Sequence, residues 1–393
     1  MTYPERFSQL PPYVFPRLRL LLDGITPGRK PIDMTIGNPM HDFPSWISKV
    51  LMENIQEFRG YPPNDGTIEM RSAISSWLKY RYNVNFNPND QIFPLNGTRE
   101  GLFSVALALC PETKNKKKSV VLMPNPFYQV YSVAAYAANC EPIYVTANRQ
   151  NGFLPDYSDL PLNILNQTVA AYICSPSNPQ GSVASEEYWR SLLALSEKYD
   201  FKVFSDECYS EIYKSKPPIG ALTVAKSMGI STERVVLFNS LSKRSNLAGL
   251  RSGFAASGPK NIAALKTLRN YGGAPLPLPV QRISAKVWGD EKHVVKNRSL
   301  YQKKIELADQ IFDDNDNYFS PDAGFFLWLK VSDGENIARR LWMEFGVKTL
   351  PGKYLGRADK GVKPGSDFLR VALVAPIDEM ALGLKRIKKC LLA

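Results

Sequence analysis

The stretch Ser240-Leu-Ser-Lys243-Arg-Ser-Asn-Leu-Ala-Gly-Leu-Arg251-Ser-Gly-Phe254 follows directly after the apolar run Arg234-Val-Val-Leu-Phe-Asn239. The run is typical of a buried β-strand, and the polar turn behind it carries a single lysine, Lys243. Ligand sites of open α/β sheets lie at the carboxyl ends of the strands. The stretch therefore predicts an α/β sheet with a ligand site around Lys243.

The neighbours of Lys243 indicate the chemistry of that site. A lysine nucleophile reacts as a neutral amine, so it needs a pocket that disfavours its protonation. The hydroxyl of Ser240 and the guanidinium of Arg251 could hold a phosphate beside it, the arginine as a two-pronged donor. A Schiff-base lysine among phosphate ligands is the arrangement that binds pyridoxal 5′-phosphate. An isolated S-x-x-K is more often a solvated lysine in a turn, so the other motifs must decide.

Length and composition indicate an ordinary globular protein. The chain has 393 residues, 44% hydrophobic and 22% charged, which allows two or three domains. Its five cysteines are scattered, without a C-x-x-C pair, as in proteins of reducing compartments. The first residues lack the apolar core of a signal peptide, and no apolar run is long enough to span a bilayer. We expect a cytoplasmic protein without a membrane partner.

The net charge of +12 raises the question of nucleic-acid binding. The dense basic clusters are 114–118, expected in a loop, and 385–389, expected on the solvated face of a closing helix. Neither belongs to a nucleic-acid fold signature, so we predict no nucleic-acid partner and expect the charge to attract polyanionic metabolites. The two histidines, His41 and His293, lack ligand-spaced partners, so no metal site is predicted.

Extended and helical patterns alternate through the middle of the chain, which favours an α/β fold with a mostly parallel sheet. The predicted strands are 120–123, 169–174, 201–204 and 235–238, with helices at 100–109 and 186–199 between them. The Pro-rich segment 274–279 ends this alternation, and a long helical region, 281–312, follows it. Strand candidates at 324–329 and 368–373 then suggest a smaller α+β domain, which a strand at 32–36 could join. The predicted units are an N-terminal arm with part of the small domain (1–45), a large domain (46–279) and a small domain (280–393).

Short polar motifs follow the predicted strands, and each has a structural alternative. Asp206, in Ser205-Asp-Glu-Cys-Tyr209, could pair with a pyridine nitrogen or cap a helix. The stretch 96–100, Asn-Gly-Thr-Arg-Glu, could bind an anion at a helix start or be an ordinary capped helix. Tyr128 could lie over an aromatic ring or in the core. The stretch 175–181 and the loops 36–39 and 61–66 could be turns only. Arg370 lies inside an apolar strand pattern and would need a partner such as a bound carboxylate.

Taken in order, these motifs resemble those of the fold-type I, class I and II, pyridoxal-phosphate-dependent aminotransferases over nearly the whole chain. The matching positions are Gly37, Tyr61 to Gly66, Asn96-Gly-Thr98, Pro126-Phe-Tyr128, Asn178-Pro-x-Gly181, Asp206-x-x-Tyr209, Ser240-x-x-Lys243, Arg251 and Arg370. The resemblance implies a large domain with a mostly parallel seven-stranded sheet and a smaller α+β domain. It also implies pyridoxal 5′-phosphate as cofactor, amino-acid and 2-oxo-acid substrates, and a homodimer with shared active sites.

The resemblance also implies a role for each residue. Lys243 would hold the cofactor and later carry the proton between the substrate Cα and the cofactor, with Asp206 at the ring nitrogen. Asn178 and Tyr209 would bond the phenolic oxygen, and Tyr128 would stack on the ring. The cofactor phosphate would contact Gly97, Thr98, Arg99, Ser240, Arg251 and, from the other subunit, Tyr61. The substrate carboxylate would contact Arg370, Gly37 and Asn178.

A narrower resemblance concerns the substrate. Residues 242–254, 290–298, 321–328, 351–355 and 361–366 are similar to succinyldiaminopimelate aminotransferases of bacterial lysine biosynthesis. Asn38 departs from that pattern, since a glutamate is common there, and this bears on specificity. We predict N-succinyl-LL-2,6-diaminopimelate as amino donor and 2-oxoglutarate as acceptor. The alternatives are an aspartate or aromatic amino-acid aminotransferase, a lyase with the same cofactor, and a non-catalytic effector module of a transcription regulator.

Overall fold

The computed structural model describes residues 5–8, 10, 12–358, 361 and 363–392. The α-helices of this part are α1 (Val14–Leu22), α2 (Ile47–Glu53), α3 (Ile68–Tyr82), α4 (Thr98–Leu109), α5 (Val130–Ala137), α6 (Leu162–Leu165), α7 (Glu186–Tyr199), α8 (Ala221–Ser227), α9 (Leu241–Arg244), α10 (Pro259–Gly272), α11 (Leu278–Trp288), α12 (Lys292–Ile311), α13 (Gly334–Phe345) and α14 (Ile377–Leu392). Short 3₁₀ turns lie at Glu5–Phe7, Ile55–Arg59, Arg149–Asn151, Thr232–Arg234, Ala248–Leu250 and Gly352–Leu355.

The strands of the described chain fall into one large sheet and three small ones. They are β1 (Ile32–Asp33), β2 (Ile92–Leu95), β3 (Thr113–Lys114), β4 (Lys117–Lys118), β5 (Val120–Asn125), β6 (Glu141–Thr146), β7 (Thr168–Cys174), β8 (Lys202–Asp206), β9 (Val235–Ser240), β10 (Gly253–Ala256), β11 (Phe326–Lys330), β12 (Val347–Lys348), β13 (Leu350–Pro351) and β14 (Phe368–Ala372).

The large sheet has seven strands in the order β2-β10-β9-β8-β7-β5-β6. Only β10 runs antiparallel to its neighbours, so the predicted mostly parallel α/β sheet is confirmed. Every residue of β5, β7 and β9 is buried, because helices cover both faces of the sheet. One face carries α3, α7, α8 and α11, and the other carries α4, α5 and α10.

The smaller domain is built around the antiparallel sheet β11-β14-β13. Helices α12, α13 and α14 bury their apolar faces against it, in one core with Ile32 and Met34. The predicted strand at 32–36 does join this domain, because β1 pairs in parallel with β12. Only Ile32 and Asp33 form it, however.

The helical region predicted at 281–312 consists of two helices, α11 and α12. Gly289 ends α11, and the Asp290 carboxylate accepts a hydrogen bond from the amide of Lys292 (2.9 Å) at the start of α12. Ile283, Val287 and Trp288 of α11 belong to the core of the large sheet. We therefore propose that the large domain extends through α11, beyond the predicted boundary at residue 279.

The basic stretch 114–118 is a β-hairpin of β3 and β4 rather than the expected loop. Asn115 and Lys116 form its turn with positive φ angles of 52° and 61°, the backbone that favours a two-residue hairpin. The Lys114 ammonium donates to the carbonyl oxygens of Thr168 (2.7 Å), Tyr199 (2.6 Å) and Asp200 (2.8 Å). This lysine therefore anchors the hairpin to the fold.

Membrane-spanning helices and metal-binding clusters are both absent from the described residues. None of their helices is long and apolar enough to cross a membrane. They contain no group of three or more His, Cys, Asp or Glu side chains that could hold a metal ion. All five cysteines are buried and free.

Candidate active site

A cavity of about 260 Å³ lies at the carboxyl ends of β7, β8 and β9. The N-terminal segment, the start of α4 and strand β14 of the small domain close its other sides. All predicted site residues except Gly97 and Tyr61 line it, namely Gly37, Thr98, Arg99, Tyr128, Asn178, Asp206, Tyr209, Ser240, Lys243, Arg251 and Arg370. The fold thus brings together motifs that lie up to about 330 residues apart in the chain.

Lys243 lies on the one-turn helix α9 directly behind β9. Its Nζ donates to the carbonyl oxygen of Gly37 (2.5 Å) and lies 5.4 Å from the ring centre of Phe325. Burial lowers the pKa of this ammonium to about 8, and the guanidinium groups of Arg370, Arg251 and Arg99 contribute to the lowering. Near neutral pH, a lysine in this setting has a far larger neutral fraction than an ordinary lysine, as a nucleophile requires.

Asp206 ends β8 on the floor of the cavity and is only 5% exposed. The Tyr131 hydroxyl donates to its Oδ2 (2.7 Å), and the amide of Cys208 donates to its Oδ1 (3.3 Å). Burial raises the pKa of this carboxyl group, while the Cys208 and Tyr131 hydrogen bonds and the nearby Lys243 oppose the rise. The Asp206 carboxylate therefore has little positive charge of the protein to pair with. It could accept a hydrogen bond from a protonated nitrogen of a ligand.

Arg370 lies on β14 with its guanidinium turned into the cavity. Its two terminal nitrogens donate to Asn178 Oδ1 (3.1 Å) and to the carbonyl oxygen of Thr35 (2.8 Å), and the group lies over the Phe326 ring. The buried Nε has no hydrogen-bond partner among the described residues. Burial lowers the pKa of Arg370 to about 10. A guanidinium left with an unused donor in a buried cavity is suited to an anionic ligand.

The start of α4 and the Arg251 turn bring a second set of hydrogen-bond donors to the cavity. Gly97 precedes α4 with a φ of 78°, and a Cβ there would collide with the Arg251 guanidinium. Arg251 itself has a φ of 57° and donates to the carbonyl oxygen of Ala248 (2.8 Å). The Ser240 hydroxyl contacts that of Ser242 (2.9 Å). Free helix amides, a guanidinium and hydroxyl groups are the donors that bind phosphate.

Aromatic side chains form the walls of the cavity. Arg99 Nε donates to the Tyr128 hydroxyl (2.8 Å), and the Tyr128 ring meets Tyr131 edge to face at 5.7 Å. Tyr209 is buried, edge-on to Phe325 and Phe326. Tyr61, in contrast, lies fully exposed and away from the cavity of its own chain.

Several residues in or directly beside the cavity were not predicted, namely Tyr13, Tyr131, Cys208, Ser242 and Phe326. Tyr131 hydrogen-bonds Asp206, Ser242 contacts Ser240, Thr98 Oγ1 contacts Cys208 Sγ (3.2 Å), and Phe326 lies under Arg370. Tyr13 enters the cavity wall from the N-terminal arm. Ser242 could have been included from its position beside Lys243. Tyr131 and Phe326 have the sequence pattern of core residues, so no local signal distinguishes them.

Comparison with known proteins agrees with this geometry. The family of class I and II aminotransferases matches residues 29–387. An aminotransferase from Neisseria meningitidis is 36% identical, with a TM-score of 0.93 over 98% of this chain and 99% of its own. The LL-diaminopimelate aminotransferase of Aquifex aeolicus is 29% identical over 98% of both chains. A probable N-succinyldiaminopimelate aminotransferase from Thermus thermophilus is 26% identical, with a TM-score of 0.84 over 96% of this chain and 100% of its own. The chain therefore belongs to the class I and II aminotransferases, fold-type I enzymes that depend on pyridoxal 5′-phosphate.

Proposed function

We propose that this aminotransferase uses a long, anion-rich amino donor, N-succinyl-LL-2,6-diaminopimelate, and passes the amino group to 2-oxoglutarate. The observation that carries the proposal is the strongly positive charge of the protein, +12 over the whole chain. Four cationic side chains line the cavity, Arg99, Lys243, Arg251 and Arg370, and Asp206 supplies the only carboxylate among the described lining residues.

The residues of the cavity fit the cofactor. Two observations support this fit. Gly97 lets the Arg251 guanidinium approach the start of α4, and the buried Lys243 amine, whose pKa is depressed, lies in the same cavity. We propose that Gly97, Thr98, Arg99, Ser240 and Arg251 hold the phosphate, and that Asp206, Asn178, Tyr209 and Tyr128 hold the ring. When bound, pyridoxal phosphate supplies an electron sink for the charge that develops at the donor Cα.

The protein side chains would then orient the donor and move its proton. Arg370 binds the α-carboxylate, which its fixed position on β14 allows because Asn178 and Thr35 hold the guanidinium in place. Lys243 Nζ, as a neutral amine, would take the proton from the donor Cα and hold it for the return transfer. The enclosed aromatic walls exclude water from this transfer, which strengthens the electrostatic interactions.

The charge of the chain bears on the choice between two related donors. The curated relative from Aquifex aeolicus is named for LL-diaminopimelate, and the structural neighbour from Thermus thermophilus for the N-succinyl form. The succinylated donor carries three carboxylates against one ammonium, whereas the free one carries two of each. The net charge of +12 favours encounter with the more anionic molecule.

Steady-state assays with 2-oxoglutarate as acceptor test this proposal. We expect the highest kcat/KM for the succinylated donor, ahead of LL-diaminopimelate, aspartate and phenylalanine. Added salt should lower kcat/KM more steeply for the succinylated donor than for phenylalanine, because screening weakens the attraction of a multiply charged substrate. A higher kcat/KM for any of the other three donors would overturn the substrate assignment while leaving the family assignment intact.

Arg370→Lys is expected to weaken the binding of both substrates. One ammonium cannot replace the two-pronged guanidinium, and a lost charged hydrogen bond costs about 1.5–3 kcal/mol, so KM should rise by about 10- to 100-fold for donor and acceptor alike. KM for both substrates is the measurement. The absorption spectrum and cofactor affinity serve as controls, since both should stay near those of the parent enzyme. An unchanged KM would remove Arg370 from the carboxylate site.

We also propose that the enzyme is a homodimer with shared sites. Support comes from the exposed apolar and aromatic side chains of Met52, Phe58, Tyr61, Ile68 and Tyr271. The loops that precede Ile68 and Tyr271 are held together, since Asn64 Nδ2 donates to Asn270 Oδ1 (3.0 Å). The family resemblance implies that Tyr61 reaches the cavity of the second copy, in agreement with its exposure on its own chain.

Mixing two inactive variants tests the shared sites. Lys243→Ala and Tyr61→Ala chains, unfolded and refolded together, should form dimers with one site in which both residues are intact, and activity should return. Each variant refolded alone is the control. Light scattering should give about twice the chain mass of 44.1 kDa. A monomer, or no recovery in a mixture proven to contain mixed dimers, would contradict the proposal.

A further inference from the structure

The N-terminal half of α12 lies against the loops that follow the strands of the active site. Asn297 contacts the loop behind β9, where Lys243 lies. Arg298 binds Glu211 (2.9 Å), and Gln302 Nε2 donates to the carbonyl oxygens of Tyr213 (3.2 Å) and Lys214 (3.0 Å), all behind β8. The helix therefore contacts the segment that carries Lys243 without lining the cavity itself.

Asn297 is the contact closest to Lys243, and its amide is only 4% exposed. Its Nδ2 donates to the carbonyl oxygens of Lys243 and Arg244 (both 3.3 Å). Two carbonyl acceptors fix which end of the amide carries the hydrogens, so Oδ1 must be an acceptor. Oδ1 lies 3.0 Å from both Asn246 Nδ2 and His41 Nδ1, and each of these nitrogens therefore donates to it.

The two hydrogen bonds from Asn297 Nδ2 supply donors to backbone carbonyl groups that have no partner within their own helix. Helix α9 has four residues, so its last carbonyl groups have no partners within the helix. Asn246, with a φ of 56°, turns the chain away immediately afterwards. The Asn297 amide supplies the missing donors at the very residue whose side chain enters the cavity.

The same amide also connects Lys243 to the segment that its side chain contacts. Lys243 Nζ donates to the Gly37 carbonyl oxygen, four residues before His41. His41 packs on Tyr301 (4.6 Å between ring centres), Tyr301 stacks on Phe325 (5.3 Å), and Phe325 lies below Lys243 Nζ. The same group of contacting residues thus holds both the backbone and the amine of Lys243. Asn297 makes the hydrogen bonds at the centre of this group.

We propose that Asn297 is a positioning residue for the aminotransferase reaction, which holds the backbone of Lys243 so that Nζ stays aligned for proton transfer. The inference rests on the proposed role of Lys243. It concerns the position of Lys243 and not substrate binding. Loss of Asn297 should therefore lower kcat and leave KM nearly unchanged. Misplacement of a reacting group by about 1 Å costs on the order of 100-fold in rate.

Asn297→Ala and the isosteric Asn297→Asp, which keeps the acceptor but loses both donors, test the proposal. Both should lower kcat by about 10- to 100-fold and change KM for either substrate by less than about threefold. The pH midpoint of the visible absorption of the cofactor-loaded enzyme should also shift, because that midpoint reports the surroundings of Lys243 Nζ. Gln302→Ala is the matched control, since it removes an amide that donates to two carbonyl groups from the same helix. It should leave both kcat and the pH midpoint near those of the parent.

Three outcomes would overturn the proposal: a kcat within about twofold of the parent in both Asn297 variants, an equal loss in Gln302→Ala, or an unmoved pH midpoint in Asn297→Asp when its unfolding temperature matches the parent. Peptide mapping of the borohydride-reduced parent enzyme is done first. A cofactor adduct on another lysine would refute the role of Lys243, a failure distinct from the failure of Asn297 to position it.

Discussion

Lys243→Ala is expected to lower turnover by about 10³- to 10⁴-fold, because the variant loses the group that moves the proton at Cα. Cofactor affinity should fall much less, because the proposed phosphate-binding groups at the start of α4 and at Arg251 are still present. Turnover under saturating substrate and equilibrium binding of pyridoxal phosphate are the two measurements. Retained turnover, or loss of cofactor binding together with turnover, would contradict this division of roles.

Borohydride reduction of the loaded enzyme should fix the cofactor to Lys243. Lys304 provides an internal control, because burial lowers its pKa to about 8 as well. Its Nζ donates to the carbonyl oxygens of Val374 (3.1 Å) and Ala375 (2.6 Å), in the core of the small domain. A depressed pKa alone therefore does not mark the reactive lysine, and an adduct on Lys304 would refute the assignment.

The pH dependence of cofactor capture follows from the pKa of Lys243. The neutral amine is the reactive form, and with a pKa of about 8 it becomes the majority form above that pH. The rate at which the apo protein captures pyridoxal phosphate should therefore rise as the pH increases through about 8.

The parts of the fold that the sequence predicted are those with a strong local signal. The strands β5, β7, β8 and β9 are short apolar runs because they are buried on both faces, and a polar motif follows each run where the sheet ends. Site residues directly behind such a strand, such as Asp206 and Lys243, could be recognised for that reason.

The remaining features depend on contacts between distant parts of the chain. Asn297 looks like any polar residue on a helix, and only the tertiary fold places it on the carbonyl of Lys243. Tyr131 likewise has the sequence pattern of a core aromatic residue, and only the tertiary fold places its hydroxyl beside Asp206. The break between α11 and α12 did have a signal, Gly289 followed by Asp290, which the continuous helical periodicity on both sides obscured.

Asp206→Asn and Asp206→Ala are expected to lower turnover by about 10²- to 10⁴-fold. A neutral side chain cannot stabilise a protonated pyridine nitrogen, so the cofactor becomes a weaker electron sink. Turnover with saturating substrates is the measurement. Tyr131→Phe is the matched control, because it removes the 2.7 Å hydrogen bond to Asp206 and keeps the carboxylate. We expect a loss of about tenfold or less there, the size of one hydrogen bond.

The stability of the apo protein separates this role from a purely structural one. The helix-cap alternative is excluded because no helix of the described chain begins directly after Asp206, whose carboxylate instead accepts from the amide of Cys208 in a turn. Burial raises the pKa of Asp206, so its ionised form costs folding free energy at neutral pH. Asp206→Asn removes that cost, and the apo variant should unfold at the same temperature as the parent or higher, while its activity is lost. Near-normal turnover together with a lowered unfolding temperature would show that Asp206 only stabilises the turn and that another group balances the ring nitrogen.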